Sequence, residues 1–327
     1  MFDYSRLDFV MLLIVFVVSL FILVKSSDRL VDYAVTVSRQ LNVSEVIIGA
    51  TIVSLGTTLP ELSSSVVSIL NGISQFALGN AVGSVITNIT LILGLGSLFG
   101  SLPVRKESMK RSMFLFILGA LLLIVSFCGK IFHGDYIIPQ WFGIILVLLI
   151  PIYLVYSFKN KSDISQPHST QIDIKKLMEN ILLIILCALA VAFSSSALVE
   201  TSTQIATRIG ISELIISSTI VALGTSLPEL STVIASVKKG AGAIAVGNVI
   251  GANILNIILV LGVSLLLSPQ GISIATSFMM VQFPFLLLTT GFFMYLVVNT
   301  KRHEVVKREG FFLLLLYIAY IILSLIV

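Results

Sequence analysis

Long runs of apolar residues, separated by short polar stretches, fill almost the whole chain. A helix needs about 20 apolar residues to cross a bilayer, and ten segments meet this length. These predicted spans are residues 8–27, 43–70, 74–100, 112–131, 137–158, 177–200, 211–237, 241–267, 274–298 and 309–327. The sizeable polar stretch 159–176 is expected to be a cytoplasmic linker. The pattern therefore predicts an all-α polytopic membrane protein with two five-helix halves, residues 1–158 and 177–327.

The composition supports a membrane protein and excludes a soluble globule. Of the 327 residues, 57% are hydrophobic and only 11% are charged, whereas soluble proteins carry about 25% charged residues. The net charge of +4 does not indicate a nucleic-acid partner, because the basic residues lie in short loops between apolar spans. We expect the lipid bilayer to be the main partner, no nucleic acid to bind, and the chain to function as a monomer.

The basic residues are spread unevenly over alternate loops. All but three of the 20 Lys and Arg residues fall on one side of the ten-span arrangement, and the exceptions are Arg6, Lys130 and Arg208. Positive residues favour the cytoplasmic side, so both termini are expected outside the cell membrane. Since each half has an odd number of spans, the second half enters the membrane inverted.

Part of the sequence occurs twice, at a constant offset of 168 residues. The segment 56–61, Gly-Thr-Thr-Leu-Pro-Glu, recurs at 224–229 as Gly-Thr-Ser-Leu-Pro-Glu. The matching positions extend over about 43–100 and 211–267, without a gap from residue 44 to residue 94. An inverted repeat of this kind is typical of secondary transporters, whose binding site lies at the interface of the two repeats.

The repeated motif places helix breakers and carboxylates inside apolar spans. Proline cannot close the helical bond to the carbonyl four residues earlier, so each motif should break its helix. The helix-breaking positions are Gly56, Pro60, Gly224 and Pro228. A carboxylate at this depth, Glu61 or Glu229, costs at least ~2.5 kcal/mol unless it is paired or hydrated. No Lys, Arg or His lies mid-span, so we expect a metal cation or a proton to supply the positive charge.

Further oxygen-bearing residues accompany the two carboxylates. The hydroxyl and amide candidates are Thr57, Thr58, Thr225, Ser226, Ser84, Asn88 and Asn256. For Asn80 and Asn248, a functional role and a role in holding helices together by hydrogen bonds are equally expected. An all-oxygen set favours hard cations such as Ca²⁺ and Na⁺ and argues against zinc or copper. Two carboxylates match one Ca²⁺, and Na⁺ ions or protons are alternative occupants, as an exchanger requires.

The doubled motif, with the following Gly-Asn-x-x-Gly-[Ser/Ala]-x-x-x-Asn runs, resembles the repeats of the cation/Ca²⁺ exchanger superfamily, prokaryotic Na⁺/Ca²⁺ exchangers in particular. The resemblance implies ten helices in two inverted halves, with the first and sixth sliding to switch access. It implies a secondary active antiporter that exports Ca²⁺ for Na⁺, with no cofactor besides the transported ions. It also adds the carbonyls of Ser54 and Ala222 to the metal ligands. We expect no enzymatic activity, since no nucleophile–base pair or His-based metal motif is visible mid-span.

Two positions depart from the family pattern. Ala252 stands where the counterpart of Ser84 is usually serine, so one Na⁺ site is expected to lose a ligand. Asn256 stands where some members, including potassium-dependent ones, have Asp, which argues against K⁺ cotransport. H⁺/Ca²⁺ antiport is the alternative function, although the Leu-Pro-Glu context differs from that of proton-coupled members. A passive cation channel is less expected, because inverted repeats favour a site that faces each side in turn.

Overall fold

The computed structural model describes residues 7–41, 43–70, 72–104, 106–159, 173–209, 224, 226–299 and 304–326. The α-helices of this part are α1 (Phe9–Leu41), α2 (Glu45–Ile48), α3 (Ser54–Thr57), α4 (Leu59–Leu70), α5 (Ser74–Thr87), α6 (Leu93–Phe99), α7 (Lys106–His133), α8 (Gln140–Lys159), α9 (Ile174–Arg208), α10 (Leu227–Lys238), α11 (Gly242–Leu255), α12 (Gly262–Leu266), α13 (Thr276–Asn299) and α14 (Lys307–Ile326). Short π-helical segments, Gly49–Val53, Asn88–Ile92 and Asn256–Leu261, join consecutive helices into longer spans.

The chain is a helical, polytopic membrane protein. Eight of the described helical segments are long and apolar enough to cross a membrane. They are Phe9–Leu41, Glu45–Leu70, Ser74–Phe99, Ser108–Phe132, Gln140–Ser157, Ile174–Arg208, Gly242–Leu266 and Thr276–Val298. The helices α10 and α14 are additional to these eight. Most of the predicted seventh span lies outside the described residues, as does most of the predicted linker.

The first and sixth spans are longer than their predicted ranges, 8–27 and 177–200. In α1 the continuation buries Leu30, Ala34 and Val37, which recur every three or four residues along one helix face. Charged residues interrupt the apolar run at Lys25, Asp28, Arg29 and Asp32. A criterion of uniform hydrophobicity therefore ends the span too early. The extra turns of α1 are amphipathic and pack against the protein.

Burial increases towards the middle of the helix array. In the most apolar window of Gly242–Leu266, 83% of residues are buried, compared with 17% in that of Phe9–Leu41. Every residue of α11 is buried. Its glycines allow this, because a Cβ added to Gly247 or Gly251 would overlap the backbone of the second span at Val46 or Ala50. The two repeated regions therefore meet at the centre of the molecule.

The helices α1 and α9 pack along each other in opposite directions. At one end, the guanidinium of Arg208, the last residue of α9, donates to the carbonyl of Leu7, just before α1. At the other end, the Asn180 amide donates to Gln40 Oε1 over 3.2 Å. The start of each helix thus lies beside the end of the other.

Two-residue strands connect the loops. The strand β1 (Leu102–Pro103) pairs antiparallel with β4 (Glu304–Val305), and β2 (Ile137–Ile138) pairs antiparallel with β3 (Ile272–Ser273). The turn between α4 and α5 contains Gly72 at φ 81°, and its repeat counterpart Gly240 has φ 71° between α10 and α11. Both turns require the left-handed backbone that glycine adopts without strain.

Candidate cation-binding site

The first repeated motif lies at a helix interruption, and the second lies at the start of a helix. The helix α3 ends at Thr57 and α4 begins at Leu59, with Thr58 between them at φ −83° and ψ −4°. Pro60 is the second residue of α4, and its counterpart Pro228 is the second residue of α10. The first interruption lies inside the segment in which the proline predicts it. Each carboxylate of the motif thus sits in the first turn of a helix.

The second motif leaves a carbonyl for another helix to satisfy. Pro228 has no N–H to donate to the carbonyl of Gly224. The hydroxyl of Ser195, on α9, donates to that carbonyl over 3.0 Å instead. The close approach of α9 depends on the motif glycines, because a Cβ at Gly224 would overlap Val199, and one at Gly56 would overlap Ala188.

The carboxylates of Glu61 and Glu229 are fully buried. Their four oxygens have no hydrogen-bond partner among the described residues. The ion pair found in the described part of the chain, Lys239 with Asp32, involves neither of them. An uncompensated buried charge is strongly unfavourable, so this pair needs a cation or protons.

Two amide side chains add further acceptors. Asn88 and Asn256 are the first residues of the π-helical segments Asn88–Ile92 and Asn256–Leu261, and both are fully buried. Asn88 Oδ1 and both polar side-chain atoms of Asn256 have no partner in the described part of the chain. The two carboxylates and the two amides thus provide six buried acceptor oxygens without a donor.

The hydroxyls of the motifs differ in their hydrogen bonds. The Thr58 hydroxyl donates to the carbonyl of Ser54 over 2.7 Å, and the Thr57 hydroxyl lies 3.3 Å from the same carbonyl. Thr57 is also beside Glu229, but outside hydrogen-bonding geometry with its oxygens. The buried Ser226 hydroxyl has no partner among the described residues. A hydroxyl that donates its proton keeps lone pairs for a cation, so these oxygens remain available.

The remaining predicted ligands are less well defined by the geometry. The Ser54 carbonyl already accepts the Thr58 N–H over 3.0 Å in addition to the hydroxyls, so its coordination of an ion requires those bonds to rearrange. Ser84 is buried in α5 with 5% exposure, and Ala252 is fully buried in α11. Ala222 and Thr225 lie outside the described residues.

Asn80 and Asn248 connect helices. The Asn80 amide donates to the main-chain oxygen of Glu61 over 3.1 Å and to the hydroxyls of Ser64 and Ser65 over 3.2 and 2.9 Å. Asn248 Oδ1 instead accepts the Thr57 hydroxyl over 3.2 Å, across the two repeats. Equivalent positions of the repeat therefore have different partners.

Asn253 is a site residue that the repeat comparison overlooks. Its Oδ1 accepts the Asn88 amide over 2.9 Å, which leaves Asn88 Oδ1 free to bind a cation. Its counterpart in the first repeat is the apolar Val85, so a search for matched polar pairs misses it. The available signal is a third amide between Asn248 and Asn256, because a buried amide is costly without a partner.

The donor set of the site consists of oxygens. Within the described ranges, no group of three or more His, Cys, Asp or Glu side chains forms a metal cluster. Two carboxylates surrounded by neutral amide and hydroxyl oxygens suit a hard cation that stays exchangeable, such as Ca²⁺ or Na⁺. Such ions would be substrates of the site and not resident cofactors.

Comparisons with known proteins agree with this chemistry. The family model described as sodium/calcium exchanger protein matches residues 11–159 and 179–326. The inner membrane protein YrbG of Escherichia coli is 35% identical over 263 residues, which are 77% of this chain and 79% of that protein. The sodium/calcium exchanger MaX1 of Methanosarcina acetivorans is 28% identical over 94% of this chain and 97% of its own length.

A solved structure has the same fold. The sodium-calcium exchanger NCX_Mj, soaked with 10 mM Na⁺ and zero Ca²⁺, superposes with a TM-score of 0.82 at 28% identity. The match covers 96% of this chain and 98% of the NCX_Mj chain. The likeness therefore extends over the whole helix array and includes both repeated regions.

Proposed function

Because this chain belongs to the sodium/calcium exchanger family, whose members exchange cations across membranes, we propose that it is a secondary active antiporter that exports Ca²⁺ in exchange for Na⁺. The central site would hold Ca²⁺ or Na⁺, and each occupied form would face the two sides of the membrane in turn. The ions are substrates, and the exchange makes and breaks no covalent bond in them.

The unpartnered oxygens of the buried site carry this proposal. Glu61 and Glu229 bring two negative charges into an apolar interior, and the amide oxygens of Asn88 and Asn256 add neutral acceptors. One Ca²⁺ balances both carboxylates. Na⁺ ions can balance them as well, so the two ions compete for the same charge. We propose that Thr57, Thr58, Thr225, Ser226, Ser84 and the carbonyls of Ser54 and Ala222 complete the coordination.

We further propose ten spans, and the strand pairings support the two that add to the eight described. The strands β1 and β4 are bonded, so residues 103 and 304 lie on one side of the membrane. Five described spans lie between residues 103 and 304, and an odd number of crossings would leave these residues on opposite sides. A crossing by the proposed seventh span, residues 211–237, restores the even number, and the pairing of β2 with β3 supports the same crossing. The helix α14 supplies the tenth span.

The two halves, residues 1–158 and 177–327, would then be inverted repeats joined by the linker 159–176. The opposite directions of α1 and α9 support this, because they are the first helices of the two halves. We propose that both termini lie outside the cell membrane, which the distribution of basic residues supports. A single chain contains the whole site, so we propose a functional monomer in which α1 and α9 slide to switch access.

Transport into vesicles tests the proposal. The purified chain is reconstituted into liposomes, which are loaded with Na⁺ and diluted into Na⁺-free buffer containing ⁴⁵Ca²⁺. A parallel sample receives only an imposed pH gradient. We expect rapid Ca²⁺ uptake with the Na⁺ gradient and none with the pH gradient alone. Glu61→Gln and Glu229→Gln should each abolish the uptake, because one carboxylate cannot balance Ca²⁺.

Other outcomes identify the alternatives. Uptake driven only by the pH gradient would establish H⁺/Ca²⁺ antiport, for which the same buried carboxylates would carry the protons. Uptake without either gradient, at high flux and only downhill, would indicate a channel. Full Na⁺-driven uptake by both glutamine variants would contradict the assignment of the site.

A further inference from the structure

The hydrogen bonds around the two motifs are asymmetric although the residues that form them are repeated. Ser27 on α1 shares a 2.7 Å hydrogen bond with Ser231 on α10. Ser195, the counterpart of Ser27, donates to the carbonyl of Gly224. Positions 63 and 56, the counterparts of Ser231 and Gly224, are again serine and glycine. Each bond therefore has a chemically competent equivalent that the structure does not form.

The same holds for the amides. Asn80 donates to the Glu61 main-chain oxygen and to Ser64, whereas its counterpart Asn248 accepts a bond from Thr57. The equivalents of Glu61 and Ser64 are Glu229 and Thr232, which also offer oxygens. The repeat thus encodes a second set of partners for both asparagines.

The unsatisfied atoms in the second repeat match that second set. Asn248 Nδ2 and Thr232 Oγ1 are both buried and lack a partner in the described part of the chain. A bond between them would be the equivalent of the bond from Asn80 to Ser64. A buried polar group without a partner costs about 1–3 kcal/mol, so an arrangement that pairs these two atoms is available at low cost.

We infer that Ser27, Ser195, Asn80 and Asn248 are positioning residues that exchange partners between the two access states of the proposed antiporter. In the exchanged arrangement, Ser195 bonds Ser63 and Ser27 bonds the Gly56 carbonyl. Asn248 then donates to the Glu229 main-chain oxygen and to Thr232, while Asn80 releases Glu61. The exchange is incomplete at one position, because Ser65, a third acceptor of the Asn80 amide, has the apolar Val233 as its counterpart.

The inference rests on the proposed function, since it assigns the two arrangements to states that open to opposite sides. In each state, the asparagine of one half fixes the glutamate-bearing helix of that half. In the described arrangement Asn80 fixes the start of the helix that carries Glu61, and in the exchanged one Asn248 fixes the start of the helix that carries Glu229. The α1 and α9 hydroxyls couple these changes to the movement of the helix pair.

Matched variants of one repeated position provide the test. Ser231→Ala removes a bond of the described arrangement, and Ser63→Ala removes its equivalent in the exchanged arrangement. The apparent Ca²⁺ affinity is measured from each side, in right-side-out and inside-out vesicles. Because apparent affinity scales with the population of the competent state, the ratio of the two affinities should shift up to about fivefold, in opposite directions for the two variants.

A second matched pair and a double variant keep the test independent of folding. Thr232→Val should shift the ratio in the same direction as Ser63→Ala, and Ser64→Ala in the same direction as Ser231→Ala. The double variant Ser63→Ala with Ser231→Ala should return to the wild-type ratio. Equal shifts in one direction, or unchanged ratios in all variants, would overturn the partner exchange. Absence of Na⁺-driven uptake by the wild type would instead overturn the proposed function.

Discussion

At the scale of single residues, the central feature is a surplus of acceptors. Glu61, Glu229, Asn88 and Asn256 bury oxygens that no described donor satisfies. Folded proteins rarely leave such groups unpaired, and the complete burial of all four residues makes one common ligand the simplest explanation. Asn253 has a different task, because it binds the amide of Asn88 and thereby determines which end of that side chain faces the site.

Replacement of Asn253 by leucine should therefore weaken Ca²⁺ binding. Without the acceptor, the Asn88 amide is free to turn, and its oxygen no longer faces the ion. We expect a loss of about tenfold to hundredfold in Ca²⁺ affinity, the usual cost of removing a residue that orients a ligand. Asn180→Leu removes a hydrogen bond that a side-chain amide donates near the start of α9, and it serves as the control. Unchanged Ca²⁺ affinity in Asn253→Leu would disprove the positioning role.

At the scale of the elements, the interruptions of the helices and their packing have one origin. The glycine and proline of each motif both weaken the helix and allow α9 to approach it. The glycines meet α9 at Ala188 and Val199, so one helix contacts both halves of the site. Movement of α9 would therefore be felt at both motifs.

Gly56→Ala should destabilise the protein, because the added methyl group overlaps the Ala188 methyl group. Overpacking of this kind costs about 1–3 kcal/mol, and we expect a lower melting temperature together with slower exchange. Ala188→Gly removes the opposing methyl group, so the double variant should regain most of the lost stability. Thermal unfolding of the purified variants measures this, and a Gly56→Ala variant as stable as the wild type would contradict the packing.

The sequence predicts some elements of the fold better than others. The apolar runs predict the spans, and the 168-residue offset identifies both motifs, since these are properties of the residue order. The length of α1 was underestimated, because its last turns are buried only against a partner helix. The π-helical starts at Asn88 and Asn256 depend on packing between spans. Asn253 was missed because its repeat counterpart, Val85, is apolar.

At the scale of the whole molecule, the two strand pairs connect loops that are distant in sequence. Such pairing restricts the topology, because bonded loops lie on the same side of the membrane. The family match extends over both halves, and the two repeated regions form the buried centre. The proposed site therefore depends on both repeated regions, and neither region contains it alone.

Labelling of single cysteines tests the proposed seventh span. The background lacks Cys128 and Cys187. Thr207→Cys and Lys238→Cys then introduce exposed thiols before and after the proposed seventh span, residues 211–237. A membrane-impermeant maleimide should label Thr207→Cys in intact cells and Lys238→Cys only in inside-out vesicles. Labelling of both from the same side would exclude the crossing and, with it, the ten-span arrangement.

Equilibrium binding of ⁴⁵Ca²⁺ to the purified chain, in Na⁺-free buffer and then with increasing Na⁺, tests the central claim most directly. Because both ions balance Glu61 and Glu229, we predict saturable Ca²⁺ binding that Na⁺ displaces competitively, and no binding by Glu61→Gln or Glu229→Gln at the same Ca²⁺ concentration. Ca²⁺ binding that Na⁺ leaves unchanged, or that survives in both glutamine variants, would contradict a shared carboxylate site.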